Sequence, residues 1–444
     1  MKPETTGMKG FTIIWAGQLV SLIGTSMTNF ALTLWAWEKT GQATSIALIQ
    51  LSFFAPTILV SPLAGALVDR WNRKLVMMFS DLAAGLGTIS IFILLIGNVL
   101  EIWHLYVIMA FMGAFQSFQF PAYSAAVTTM LRKENYSRAS GMLGMAQSAS
   151  NILGPIAAGI LLGFIRNTGI LLLDIISFIV AISALMVVPV PQPKFSEERN
   201  EKASLLEDSV FGFHYIIKRP SLLGLQIILL FINFVSSLCF PLLAPMILSR
   251  TNNDSMIYAT VQSAFGIGGI VGGLLLSAWG GPKRRVNGLL LGLMCSCLFG
   301  FTLMSIGKDV MIWSLAAFII LFLNPFINGS SQSIWQSKVP PEIQGRVFST
   351  RALIAQISAP IAMALAGPLT DGFLSPAMMP EGSLAPIFGK LVGTGPGAGP
   401  ALLFMLMGVT GGLISLLGYS IPAIRNVEDL IPDHNYSETP PISA

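Results

Sequence analysis

The chain has 444 residues, of which 53% are hydrophobic and only 10% are charged, and its formal net charge is +4. A soluble domain carries about 25% charged residues, and a chain of this size has too little polar surface to fold in water. Its basic residues stand in short clusters between apolar runs and not in a continuous stripe, which argues against nucleic acid as a partner. The composition predicts an integral membrane protein.

Long apolar runs recur along the whole chain. A membrane-spanning helix needs about 20 predominantly apolar residues, and six such runs precede residue 191 while six follow residue 220. The predicted spans are 11–36, 43–68, 75–97, 103–125, 141–163, 170–190, 221–248, 257–279, 287–306, 311–335, 349–373 and 400–421. We therefore predict an all-α protein with twelve transmembrane helices.

A polar stretch separates the sixth predicted span from the seventh. It ends in a mixed apolar and polar pattern at 210–217, which is typical of a short amphipathic helix lying on a membrane surface. The predicted domains are an N-terminal six-helix half (1–190), a cytoplasmic linker (191–220), a C-terminal six-helix half (221–422) and a cytoplasmic tail (423–444).

The distribution of basic residues predicts the orientation. With the N-terminus placed inside, 20 of the 25 Lys and Arg residues, Arg351 among them, fall on the inner face and five on the outer face. Cytoplasmic loops of membrane proteins carry an excess of Lys and Arg. Both termini are therefore predicted to be cytoplasmic.

The two halves resemble each other at one constant shift. Residues 65–71 (GALVDRW) align with 273–279 (GLLLSAW), and the same shift of 208 residues takes Gln18 to Gln226. An internal duplication of this kind predicts a substrate site near the middle of the membrane, where the halves meet.

The loop after the second predicted span carries the most specific motif. Residues 65–74 read GALVDRWNRK, which resembles the major facilitator signature, with Asn72 where glycine is usual. Asp69 can accept charge-assisted hydrogen bonds from neighbouring arginines or a helix terminus, and so hold one arrangement of the helices and release another. The alternatives are an ordinary positive-inside loop and, for Asp81, helix capping or solvation. The predicted conformational latch consists of Gly65, Asp69, Arg70, Arg73, Lys74 and Asp81.

A glycine and proline pattern marks the fifth predicted span. It resembles the exporter-associated motif of the same family, with Ser150 and Ala158 in place of two glycines. Small residues let helices approach closely, although Gly and Pro are also common in membrane helices generally. The motif residues are Gly141, Ser150, Gly154, Pro155 and Gly159.

Uncharged amides are the commonest polar groups inside the predicted spans. An amide that faces lipid costs a few kcal/mol, so these side chains are expected to face the bundle or a wet cavity. Some are expected to tie helices together, and the others to line a cavity suited to a large, mostly apolar molecule. The candidates for the cavity are Gln18, Asn29, Gln50, Gln116, Gln147, Asn151, Asn233, Gln262 and Asn328.

Two acidic residues are candidates for proton coupling. Asp174 is predicted to lie about one turn below the outer face, roughly 6 Å deep, where burial can let a carboxyl group cycle a proton. Capping or bonding of a neighbouring helix is its alternative role. Glu38, at the outer end of the first span, is a weaker candidate. Many proton-coupled members of the family carry an arginine in the fourth span, and Met109 stands at that position here.

The resemblance to the major facilitator family covers essentially the whole chain. Strings such as LDIISF at 173–178 and RNVE at 425–428 resemble the bacterial exporter branch that includes macrolide-efflux proteins and the enterobactin exporter. The resemblance implies export of an amphiphilic small molecule across the bacterial inner membrane by alternating access, driven by protons and performed by a monomer. An importer or lipid flippase, and a non-transporting sensor or assembly factor, are the alternatives.

The sequence predicts neither an enzyme nor a cofactor. The histidines His104, His214 and His434 lie in separate segments and form no cluster with cysteines or carboxylates. The glycine-rich stretch 393–399 lacks the Lys-Ser/Thr pair of a nucleotide-binding loop. The expected partners are therefore a small-molecule substrate and the lipid bilayer.

Overall fold

The structure, a computed structural model, describes residues 7–68, 71–131, 135–191, 205–340 and 343–433. In this part of the chain, eleven helical segments are long and apolar enough to cross a membrane. One of them lies in the helix Tyr136–Val187, which has 52 residues and is broken at Arg166, where φ is 55° and ψ is −175°. It supplies two crossings, so the chain forms the predicted all-α bundle of twelve spans.

The break at Arg166 is a hairpin, because the same part of the first span touches both of its arms. A Cβ atom added to Gly154, before the break, would meet Ser26, and one added to Gly24 would meet Asp174, after the break. The chain therefore folds back with a single non-helical residue where the sequence predicts a loop from 164 to 169. Spans 1 to 4 are Gly7–Thr40, Ala43–Val68, Arg73–Ile96 and Ile102–Met130, and spans 5 and 6 are the two arms.

The second set of six spans is less regular than the first. Span 7 contains a 3₁₀ turn at Phe240–Leu242, and span 9 contains a π-helical segment at Ser296–Phe301. Span 11 runs in pieces from Gln344 to Ala377. Spans 7 to 10 and span 12 are Pro220–Arg250, Ser255–Trp279, Arg285–Ile306, Val310–Lys338 and Ala398–Ser420.

Asn72, the departure from the family's loop signature, begins span 3. Its φ of −64° and ψ of 111° are extended, and its side-chain oxygen accepts a hydrogen bond from the backbone N–H of Leu75 at 3.3 Å. Asparagine is a favoured N-cap residue because its side chain satisfies a backbone donor at the helix start. The residue therefore serves as a cap and does not need the left-handed conformation that a glycine would permit.

Within each half, two spans approach closely enough to exclude side chains. A Cβ atom on Gly113 in span 4 would lie 2.1 Å from the carbonyl oxygen of Phe53 in span 2. A Cβ atom on Gly272 in span 8 would lie 2.1 Å from the carbonyl oxygen of Phe322 in span 10. The same helix pair is in contact in both halves, with the glycine on opposite members of the pair.

The two ends of the bundle are packed differently. Because the number of crossings is even, the start of span 1 and the end of span 12 lie at the same end of the bundle. We call this end the terminal end and the opposite end the distal end. At the distal end one apolar cluster includes residues of both halves, among them Ala36, Tyr258 and Met378. At the terminal end each half has a cluster of its own, one around Met77 and one around Trp335. Among the described residues, the halves are thus joined at the distal end and separate at the terminal end.

Candidate functional site

A cavity of about 580 Å³ lies between the two halves. Spans 1, 2, 4 and 5 form one side, and spans 7, 8 and 10 form the other. Its wall combines six aromatic rings with four side-chain amides. The rings are Phe30, Phe53, Phe54, Phe240, Tyr258 and Phe265, and the amides are Asn29, Gln50, Asn151 and Gln262.

A second cavity of about 370 Å³ lies within the C-terminal half. It shares Phe240 and Leu321 with the first cavity, so the two adjoin. Spans 7, 9, 10 and 11 surround it. Its polar lining includes Asn233, Asn324, Asn328, Ser331, Gln332 and Arg351.

Contacts between the halves close the distal end above the first cavity. The rings of Phe30 and Tyr258 stack across the interface with their centroids 5.1 Å apart. Nearer the distal surface, Trp37 Nε1 donates to Asn253 Oδ1 at 2.8 Å. The rings form part of the cavity wall, so opening this end requires their separation.

Asp371 supplies the most highly bonded of the described contacts between the halves. Its carboxylate, in span 11, accepts from the backbone N–H groups of Ala43 and Thr44 at 3.2 and 2.7 Å. It also accepts from Thr44 Oγ1 at 2.6 Å. The first backbone N–H groups of a helix have no partner within the helix, so an acid of one half caps the start of span 2 in the other.

Six of the nine predicted cavity amides line the two cavities. Asn29, Gln50, Asn151 and Gln262 line the first, and Asn233 and Asn328 line the second. The other three line neither cavity. Gln18 is bonded to Asp81, and Gln147 donates to Asn151 at 3.4 Å. Gln116 is half-buried.

Asp81 lies inside the N-terminal half and is only 3% exposed. Gln18 Nε2 and Gln119 Nε2 each donate to its carboxylate at 2.7 Å. Spans 1, 3 and 4 are therefore tied together by one buried carboxylate. The expectation that Asp81 is solvated is wrong, because its side chain is buried.

Asp174 is equally buried, at 3% exposure. Thr88 Oγ1 donates to its carboxylate at 3.1 Å, and Thr25 Oγ1 at 3.4 Å. Asp174 lies eight residues beyond the break at Arg166, about 12 Å along span 6 at 1.5 Å per residue, and faces the middle of span 1. Glu38 is exposed at the distal end.

The glycine and proline motif of span 5 lies where three helices meet. A Cβ atom on Gly154 would meet Ser26 of span 1, and one on Gly159 would meet Ala259 of span 8 at 2.9 Å. Pro155 lines the first cavity, and Ser150 is buried and donates to Gln147 O at 2.9 Å. Gly141 has no neighbouring atom within 4 Å of an added Cβ.

The predicted latch is partly described. Asp69 and Arg70 lie outside the described residues, Gly65 is in span 2, and Arg73 is in the first turn of span 3. Lys74 Nζ donates to the carbonyl oxygens of Met186 and Val188 at 2.9 and 3.0 Å. Cations are favoured at helix C-termini, where carbonyl groups lack partners. Lys74 therefore joins the start of span 3 to the end of span 6.

Sequence reasoning missed Arg351 and Asp371 as site residues. Both fall inside the predicted eleventh span, and Arg351 was assigned to the inner face only as one of its basic residues. Charged residues within a membrane span are rare and usually functional, and that signal was sufficient to identify both. The structure places Arg351 in a cavity wall and Asp371 at the contact between the halves.

A bundle of two six-helix halves, with a cavity between them that is closed at one end, is the architecture of a membrane transporter. The model of the Major Facilitator Superfamily matches residues 14–363. The chain belongs to that superfamily and is a multi-pass membrane transporter.

Several curated relatives are similar over most of their length. The chain is 26% identical to macrolide efflux protein A of Streptococcus pyogenes over 374 residues, which cover 81% of this chain and 89% of that protein. It is 22% identical to the multidrug efflux pump Tap of Mycolicibacterium fortuitum, covering 81% of this chain and 88% of Tap.

Solved transporters share the fold at low sequence identity. A peptide transporter of the POT family has a TM-score of 0.69 and 12% identity, with 95% of each chain covered. A bacterial homologue of the lysosomal transporter Spinster, crystallised in an inward-facing and unoccupied conformation, has a TM-score of 0.64 and 13% identity, covering 96% of this chain and 98% of that one. These likenesses show the fold alone.

Proposed function

We propose that this transporter exports an amphiphilic small molecule across the bacterial inner membrane. The observation that carries the proposal is the aromatic and amide-lined cavity between the halves. Pockets of drug-sized ligands are mostly apolar, with a few polar groups that fix orientation, and a volume of about 580 Å³ suits such a molecule. The efflux proteins among the relatives support export over import.

The transport mechanism proposed is alternating access by a monomer, with both termini in the cytoplasm. The excess of Lys and Arg at the terminal end supports this orientation. Arg351 lines a cavity, and without it 19 basic residues still fall on the inner face against five on the outer face. The terminal end, where the halves are separate, then faces the cytoplasm. Opening outward requires that Asp371 release span 2 and that Phe30 separate from Tyr258. Asp69 and its neighbouring cations act as the latch of the outward-open state.

Protons are the proposed source of energy, with Asp174 as the group that carries them. Its described partners are hydroxyl groups, which can donate to a carboxylate and also accept from a carboxylic acid. These hydroxyl groups can therefore stabilise both the ionised and the protonated form of Asp174. One charge that crosses 100 mV gains about 2.3 kcal/mol, which sustains a concentration ratio of roughly 50-fold.

An accumulation assay in an efflux-deficient bacterial host tests the proposed function. The test compounds are a macrolide, ethidium and a siderophore, each measured with and without a protonophore. Wild type should lower the accumulation of at least one compound relative to empty vector, and the protonophore should abolish the difference. Gln50→Leu, in the cavity wall, should lose the effect, while Gln42→Leu, exposed before span 2, should retain it.

Two outcomes would count against export. Higher accumulation in wild type than in empty vector would indicate an importer. Equal accumulation of every compound, with normal membrane insertion, would contradict the export of amphiphiles.

A further inference from the structure

The second cavity contains a charge that the proposed function has not used. Arg351 lies in the helix Gln344–Gln356 of span 11, and its guanidinium reaches the wall formed with span 10. Nη1 donates to Gln332 Oε1 and Nη2 donates to Ser331 Oγ, both at 2.8 Å. Its Cζ atom is 5.3 Å from the ring centroid of Trp335. The side chain is thus held in one position by neutral groups.

No carboxylate among the described residues offsets this charge. Neither cavity has an Asp or Glu in its wall. The ion pairs between described residues involve Lys39, Arg284 and Lys338, and not Arg351. A positive charge inside a membrane protein is costly unless an anion or water compensates it. A guanidinium in this environment therefore provides a site for an anion.

The guanidinium retains the donors that such a site needs. Arginine has five N–H donors in a rigid planar fork that matches the two oxygens of a carboxylate. Two donors are used in the described hydrogen bonds, both to neutral oxygens. The neighbouring Asn324 and Asn328 add further amides to the same cavity wall.

The relation between the cavities determines the shape of the ligand. Phe240 belongs to both walls, and the aromatic rings of the first cavity lie on its other side. An apolar or aromatic body in the first cavity can therefore extend an anionic end to Arg351. A cationic amphiphile would place its charge in cavities whose described walls contain no acid.

We propose that the transported molecule is an anionic amphiphile whose carboxylate binds to Arg351 in the second cavity. This inference rests on the proposed function, because it names the charge of the cargo for the same site. It selects acidic compounds over the neutral and cationic ones that an amide-lined cavity alone would also accept.

Equilibrium binding to the purified full-length protein in detergent tests the inference. Three fluorescent probes share one aromatic body and differ in charge: 1-pyrenebutyrate, 1-pyrenebutanol and 4-(1-pyrenyl)butyltrimethylammonium. Wild type should bind the butyrate at least 10-fold more tightly than the alcohol, equivalent to about 1.4 kcal/mol, and should bind the cation least. Equal binding of the three probes, or binding of none, would overturn the inference.

Variants of Arg351 separate a charge role from a helix-tying role. Arg351→Gln can still bond Gln332 and Ser331, and it should lower butyrate affinity at least 10-fold while leaving affinity for the alcohol unchanged. Arg351→Lys keeps the charge without the fork and should fall between the two. Lys308→Gln removes a charge from an exposed distal turn and should match wild type. An equal loss for all three probes, or a lowered unfolding temperature with no change in selectivity, would assign Arg351 a structural role.

Lipid competition and transport complete the test. Displacement of the butyrate by phosphatidylglycerol, but not by phosphatidylcholine, would assign Arg351 to a lipid headgroup and overturn the cargo assignment. Selective binding of the butyrate by a protein that exports no compound would contradict the proposed function alone. Export of only neutral or cationic compounds, unchanged in Arg351→Gln, would contradict this inference alone.

Discussion

The two halves carry a glutamine at equivalent positions, and the two residues have different partners. Gln18 in span 1 donates to the carboxylate of Asp81 at 2.7 Å. Gln226 in span 7, 208 residues later and 0% exposed, donates to the backbone carbonyl oxygen of Arg351 at 3.0 Å. Where the N-terminal half has Asp81, the C-terminal half has the buried Leu289. The glutamine is thus kept in both halves, but its partner is a buried carboxylate in one and a backbone carbonyl oxygen in the other.

This difference indicates a division of roles between the halves. The N-terminal half holds two buried acids, Asp81 and Asp174, bonded to amides and hydroxyls away from the cavities. The C-terminal half holds a guanidinium in a cavity wall and the acid that caps span 2. Proton handling in one half and cargo recognition in the other is the hypothesis that the comparison supports.

The largest expected effect concerns the close helix pairs that the halves share. Gly272→Ala puts a Cβ atom 2.1 Å from the carbonyl oxygen of Phe322, and backbone cannot yield as a side chain does. We expect the free energy of unfolding to fall by about 3 kcal/mol, at the upper end of the usual range for overpacking. The measurement is a lower unfolding temperature in detergent. Gly113→Ala should behave likewise in the N-terminal half.

The adjacent Gly273 provides the control for this experiment. An added Cβ there has no neighbour within 4 Å, and alanine is the better helix former. Gly273→Ala should therefore leave stability unchanged or raise it. Similar losses from Gly272→Ala and Gly273→Ala would contradict the close packing of spans 8 and 10.

The second prediction sharpens the role of the acidic half. Asp174→Asn should remove the protonophore-sensitive part of export, up to the roughly 50-fold concentration ratio that one charge sustains at 100 mV. Movement down the substrate gradient should persist, because Asp174 lies outside both cavity walls. The measurement is uptake into inverted vesicles with and without an imposed pH gradient. Glu381→Gln, exposed in the distal loop before span 12, is the control. If the Asp174→Asn protein remains coupled to the pH gradient, the role of Asp174 is structural.

The third prediction concerns the contact that joins the halves. Asp371→Ala removes the cap that one half provides for span 2 of the other, at a cost of about 1 kcal/mol, and should shift the population toward the outward-open state about fivefold. The readout is labelling of Asn29→Cys, in a background without the native cysteines, by an impermeant maleimide added from the distal side. Asp309→Ala removes a cap from span 10 that lies within one half. Equal labelling of the Asp371 and Asp309 variants would exclude the gating role.

The smallest expected effect concerns a paired cation of the C-terminal half. Lys338, with a side chain only 3% exposed, donates to Glu428 O at 2.6 Å and lies 2.8 Å from the Asp433 carboxylate, which is 64% exposed. The hydrogen bond and charge of Lys338 hold the pKa of Asp433 below its ordinary value of 3.8. Its stabilising contribution is therefore present above pH 3.8 and is lost as the pH falls through the lower folded pKa.

Asp433→Asn measures this contribution directly. Because Asp433 is largely exposed, we expect at most a few tenths of a kcal/mol at pH 7, and no difference from wild type at pH 2. The measurement is the unfolding temperature of both proteins at the two pH values. Glu101→Gln, which breaks an exposed pair with Lys39, should have no larger effect at pH 7. A difference that grows on acidification would contradict the pairing.

Much of the fold follows from the sequence because the membrane imposes long apolar helices. The spans were predictable from hydropathy, and the cavity amides Asn29, Gln50, Asn151 and Gln262 from the cost of exposing amides to lipid. Hydropathy did not distinguish these amides from Gln18, which is bonded to Asp81. Which face of a helix meets a cavity depends on rotation and on neighbours that hydropathy does not encode.

By itself, the sequence determined the membrane-spanning class, the two-part repeat and the family, because each of these rests on local composition or a contiguous motif. The tertiary structure alone decided that Asp371 caps a helix in the other half, that Asp174 faces the middle of span 1, and that Arg351 faces a cavity. These are contacts between residues up to 328 positions apart. Their geometry is set by the packing of the helices, which the sequence does not encode locally. The side chains that face a charged group within the membrane then determine what that group can do.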